Sequence, residues 1–138
     1  MVGTAHPTTQ RAVAHGVEGR GPAAFQPGVA IDWATRTVHV ESRVVLRAAP
    51  LEFLACFPGK EHESIVLCDA TAVHVFMALG LVGLTPGEPS RWDEAAGRYS
   101  DPTGDLVDIR LAWEADGQRH EVDGFEALAK RATGRAPV

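Results

Sequence analysis

The sequence predicts an α+β domain with a mainly antiparallel β-sheet of five to seven strands, one buried central helix and a short C-terminal helix. Three observations carry this expectation. Apolar residues alternate with polar or small ones from Val29 to Trp33 and again from Leu106 to Glu114, the period-two pattern of strands with one covered face. The stretch from Ala70 to Leu81 holds no charged residue and places apolar side chains on nearly every helical face, as a helix covered on more than one side would. Asp123-Gly124-Phe125-Glu126 matches a capping box, in which Asp123 and Glu126 bond the free N–H groups of a helix running to about Arg131 and closing at Gly134.

Residues 1–27 are rich in Gly, Pro, Thr, Ala and His without a period, which predicts a poorly ordered lead-in; a single domain should occupy 28–138. Ala34-Thr35-Arg36 reverses the chain between Val29–Trp33 and Thr37–Glu41, giving a hairpin. Ser42 to Ala48 continues in extended form, and Leu51–Cys56 is too short to assign to strand or helical turn by period. Pro58-Gly59 is a turn, Ile65–Cys68 a compact apolar strand, and Asp69 a cap for the helix that follows, which Gly83 and Pro86 end. Residues 83–105, with Trp92 and Tyr99, form a connection long enough to act as a lid. Asp116-Gly117 folds the 106–114 strand back on Gln118–Val122.

The 138 residues carry a net charge of −5 and a pI near 5.6, so the surplus of Lys and Arg that a phosphate backbone requires is missing and no nucleic-acid partner is expected. Two cysteines make no disulfide scaffold. No stretch reaches the roughly 20 apolar residues of a membrane span, and the N-terminus has no signal-peptide core. A soluble cytoplasmic protein is the expectation.

Chemistry concentrates in Cys56-Phe57-Pro58-Gly59-Lys60-Glu61-His62-Glu63-Ser64, where a thiol, an amine, an imidazole, carboxylates and a hydroxyl stand between two apolar segments. Cys56, His62, Cys68 and His74 recur every six residues, but zinc sites favour close ligand pairs, so core roles for Cys68 and His74 fit better. Lys60, His62, Glu63 and Ser64 are the candidate ligand-binding residues. A divalent metal would draw on His62, Glu63 and Cys56. An enzyme would use His62 and Glu63 for acid–base work with Cys56 as nucleophile. A purely structural role would leave the same groups paired locally or solvated.

The chain resembles the YdjY-domain family of bacterial proteins at Pro50-Leu51-Glu52-Phe53, Pro58-Gly59-Lys60, His62-Glu63-Ser64, Ala78-Leu79-Gly80, Pro86-Gly87 and Pro102-Thr103-Gly104, followed by Val107, Ile109 and Trp113. The resemblance implies a domain of unknown function, sometimes labelled ferredoxin-like. An iron–sulfur cluster needs four thiolates, which Cys56 and Cys68 do not supply. Family members are often exported and extend further at the C-terminus, so an ending at Val138 predicts an open sheet edge and a homodimer formed through it. The expected function is a small ligand- or metal-binding module around Pro58–Ser64, with the enzyme and the structural or interaction domain as alternatives.

Overall fold

A computed structural model describes residues 2–5, 21–46 and 51–132. In chain order they form strands β1 (Val2–Ala5), β2 (Ala23–Gln26), β3 (Val29–Asp32), β4 (Thr37–Val40), β5 (Ser42–Val44), β6 (Phe53–Cys56) and β7 (Ser64–Cys68), then helix α1 (Ala72–Leu81). Strands β8 (Trp92–Asp93), β9 (Arg98–Tyr99), β10 (Val107–Ala115) and β11 (Gln118–Asp123) follow, and helix α2 (Gly124–Ala132) comes last. The α+β class and the mainly antiparallel pairing are as the alternation predicts. The expected helix closure at Gly134 lies outside the described residues, as do Ala48 and Pro50.

The larger sheet has six strands in the order β11-β10-β1-β4-β3-β2. β3 and β4 are the predicted hairpin, paired from Val29↔Val40 to Asp32↔Thr37. Asp32 closes its turn by accepting N–H bonds from Ala34 and Thr35 at 2.9 and 3.2 Å, and these bonds hold the Asp32 carboxyl below its ordinary range. β1 and β2 lie within the stretch whose composition predicts a lead-in; residues 6–20 of that stretch lie outside the described residues. β1 is the middle of the sheet, with Val2 opposite His39 on one side and Arg110 on the other. Backbone pairing on both edges needs no apolar period, which is why the pattern of side chains gives no sign of it.

A smaller sheet has the order β5-β7-β6. The chain passes between the sheets at Glu41, whose N–H donates to Gly28 O at 2.9 Å and whose carbonyl accepts from Asp69 N at 2.8 Å. Gly28 is required there: its φ is +74° and a Cβ would lie 2.1 Å from Asp69 O.

Thr71, not Asp69, caps α1, its Oγ1 accepting from His74 N at 3.3 Å. Asp69 stands too early, its backbone tied to Glu41 and its carboxylate to Arg43. The C-terminus closes with Gly83 N donating to Gly80 O (2.9 Å) and Leu84 N to Leu79 O (3.1 Å), a Schellman stop, and Arg36 Nε donates to Val82 O at 2.8 Å. The helix buries Ala78 and packs Val75 and Leu79 on Val29, Ile31, Val38 and Val40. Its opposite side stays exposed, so coverage on more than one side does not hold: the uncharged sequence reflects two apolar faces, of which the sheet takes one.

Asp123 caps α2, accepting from Phe125 N at 2.8 Å and Glu126 N at 3.3 Å. Ala127 and Leu128 then pack with Ile65, Val66, Leu111 and Val122. β7 is thus shared between two clusters, with Cys68 in one and Ile65 and Val66 in the other. Among the described residues no helix is long and apolar enough to cross a membrane.

Candidate functional site

The Pro58–Ser64 block joins β6 to β7, and these strands run parallel, with Phe53↔Ser64, Ala55↔Val66 and Cys56↔Leu67 as partners. Residues 57–63 must therefore carry the chain back along the sheet by about 10 Å, the length of three strand residues. Parallel connections normally take a dozen residues or more and contain a helix. This one is far shorter, and its polar groups are what hold it.

Gly59, with a φ of +114°, makes the first reversal, and its N–H donates to Glu61 Oε2 at 2.9 Å. A single 3₁₀ turn at Glu61–Glu63 makes the second. Ser64 is 0% exposed, and its hydroxyl donates to Lys60 O at 2.7 Å, which closes the loop on itself. Glu63 N donates to the same carbonyl at 3.3 Å, and Glu63 O accepts from Glu52 N at 2.9 Å, extending the β6–β7 ladder by one rung.

The charges follow from this backbone. Lys60 Nζ stands 2.6 Å from Glu63 Oε1 and 5.9 Å from the Phe53 ring centroid, a charge contact on one side and a cation–π contact on the other. Lys60 holds the Glu63 carboxyl below the usual carboxylate range, and Glu63 in turn raises Lys60. The backbone N–H groups of Glu61 itself and of Gly59 lower Glu61. His62 Nε2 lies 3.8 Å from Glu63 Oε2 with its side chain 73% exposed, while Glu63 is 14% exposed between imidazole and ammonium.

The structure brings together Lys60, His62, Glu63 and Ser64, and separates the others. Cys56 is buried on β6. Cys68 is a core residue beside Ala78 and Val82, its thiol pushed up by burial. His74 is half-buried on α1, where Nδ1 meets no hydrogen-bond partner among the described residues. The six-residue interval therefore alternates strand, turn, strand and helix. No three His, Cys, Asp or Glu side chains form a metal-holding group among the described residues.

Glu52 belongs to the site, and the chemistry of the block alone does not reveal it. Its N–H donates to Glu63 O at 2.9 Å, and its charge adds to the field that raises Lys60. Only the parallel register, which puts β6 beside β7 from Phe53 onward, places it there. The 83–105 arm, expected as a lid, is knit by bonds of its own: Thr85 N to Asp105 Oδ2 (2.7 Å), Glu88 N to Thr103 Oγ1 (2.9 Å), and Trp92 edge-on to Tyr99 at 5.2 Å. It springs from the far end of α1, where Thr85, Pro86 and Gly87 line a groove with Phe76 and Leu79.

A family model, the YdjY domain, matches residues 29–136. No curated protein and no solved structure matches this chain.

Proposed function

The chain belongs to the YdjY domain family, and from that premise we propose that it is a small, non-enzymatic binding module whose ligand sits on the Pro58–Ser64 crossover. The observation that supports this reading is the exposure of Lys60 and His62, 60% and 73%, on either side of Glu63 and on a backbone that Ser64 fixes from beneath. Side chains presented from a fixed loop lose less freedom on binding than those of a loose one. The ammonium and imidazole together suit a ligand with an anionic group, which both can donate to. A divalent cation is the second form of the reading; it would take His62 and displace Lys60 from Glu63.

The same geometry favours a binding module over an enzyme. The Ser64 hydroxyl is committed to Lys60 O, and the Cys56 thiol is buried. A purely structural role has its own support in the shortness of the crossover, which Glu61 and the Lys60–Glu63 pair brace.

Calorimetric titration of the native chain with inorganic phosphate, and separately with Zn²⁺, distinguishes these readings. The expected result is saturable phosphate binding that weakens about tenfold or more in Lys60→Ala and in His62→Ala. Zinc binding lost in His62→Ala would select the metal form. No binding of either probe, with variants that alter only thermal stability, would overturn the proposal in favour of the structural role.

A further inference from the structure

We propose that the outer edge of β11 takes a second copy of this chain, whose β11 adds antiparallel across a two-fold axis at His120 and joins the two larger sheets into one. β11 is the terminal strand of the larger sheet, and among the described residues no strand lies beyond it. The other outer strands are blunted. β2 is four residues long, stands between Pro22 and Pro27 and shifts register between Ala24 and Gln26. β5 has three residues and β6 four. β11 has six residues, no proline, no lysine and an unbroken register with β10 from Arg110↔Asp123 to Ala115↔Gln118.

The turn decides which main-chain groups face outward. Asp116 and Gly117 have φ of +52° and +72°, the two left-handed positions of a two-residue hairpin loop, so Ala115 and Gln118 exchange hydrogen bonds with each other. Bonded pairs alternate with non-bonded ones along an antiparallel ladder, so His120 and Val122 also spend their main-chain bonds on β10. The N–H and C=O groups of Arg119, Glu121 and Asp123 then point away from the sheet.

Charge selects the occupant and the register. Main-chain bonds across a two-fold axis form only where these outward residues oppose one another. An axis at Arg119 or at Glu121 sets that residue against its own copy, and an axis at Val122 sets Glu121 against Asp123; like charges directly opposite destabilise a pair of strands. An axis at Gln118 leaves Arg119 facing Gly117. An axis at His120 sets Arg119 of each copy opposite Glu121 of the other, twice. Glu114, the β10 partner of Arg119, extends this row, so that sign alternates from strand to strand across the junction. Arg119 holds Glu121 of its own strand only at 3.4 Å and is 62% exposed, so it can turn outward. The strand is thus its own complement.

The other face of the junction is aromatic. Trp113 is 40% exposed and stacks on His120 at 5.4 Å. With His120 beside His120 of the other copy, the four rings form one row. The contact is isologous, as most dimer contacts are.

Sedimentation equilibrium of the full chain tests this. A junction of single strands is a small interface, so twice the chain mass is expected at millimolar rather than micromolar concentration. Arg119→Glu and Glu121→Arg, each with unchanged circular dichroism, should each associate at least tenfold more weakly. An equimolar mixture of the two should recover association, since every opposed pair in the mixed dimer again joins opposite charges. His120→Cys should give a covalent dimer on mild oxidation. A chain that stays monomeric at millimolar concentration would overturn the proposal, as would a dimer that survives either charge substitution, or a mixture of the two variants that stays monomeric.

Discussion

Ser64 and Glu63 act on the same carbonyl, that of Lys60, and together they decide whether the loop between β6 and β7 can be so short. Ser64→Ala leaves Lys60 O without its hydroxyl donor inside a closed site, and should cost about 1–3 kcal/mol, read as a lowered urea midpoint with unchanged m. Lys60→Met, which keeps the backbone carbonyl, should cost much less. Glu63 gives the protein an acid-side pH dependence. Its folded pKa lies below the ordinary 4.5, so its contribution is complete above that value, declines as pH falls past it and vanishes below the folded pKa. Glu61 is lowered as well and works in the same direction. Urea midpoints measured from about pH 6 down to pH 3 should therefore fall, and less steeply in Glu63→Gln. Lys60, His62 and Glu63 are legible as a cluster in the sequence because an ordinary Pro-Gly turn needs no three ionisable groups. Glu52 is not, since its membership depends on a strand register that no local pattern encodes.

The elements that the sequence makes most legible are those with a local cause. Asp32 opens the turn of the predicted hairpin by accepting backbone N–H bonds from Ala34 and Thr35; Asp93 builds the β8–β9 turn in the same way, from Ala95 and Ala96, within a stretch that the sequence reads only as a connection. Both turns pass through a positive φ, at Gly97 in the second and at Arg36 in the first, where the guanidinium also reaches the end of α1. Asp123 caps α2 as the capping-box pattern implies. For α1 the sequence pattern names Asp69, which its tie to Glu41 removes, and Thr71 two residues on takes the cap. Thr71→Ala should thus cost about 1 kcal/mol. Asp69→Ala should lose only an exposed contact with Arg43, within about 1 kcal/mol. The direction of β6 is the illegible part. Two apolar strands flanking a Pro-Gly turn read equally well as a hairpin, and only packing on α2 and β10 from one side and α1 from the other settles the pairing as parallel.

At the scale of the molecule, β7 is the strand on which everything converges, buried at all of its positions and shared by both hydrophobic clusters. Ile65→Ala should accordingly cost about 2–5 kcal/mol and loosen α2 along with the crossover, seen as faster amide exchange in both. The placement of β1 at the centre of the larger sheet was hidden because a strand held by two neighbours through its backbone leaves little trace in side-chain pattern. The central claim is that Pro58–Ser64 is a tight parallel crossover that presents Lys60 and His62. Nuclear Overhauser contacts between β6 and β7 test it most directly. Parallel pairing predicts cross-peaks from Phe53 to Ser64 and from Ala55 to Val66; cross-peaks from Cys56 to Ser64 and from Phe53 to Leu67 would mark a hairpin and contradict it.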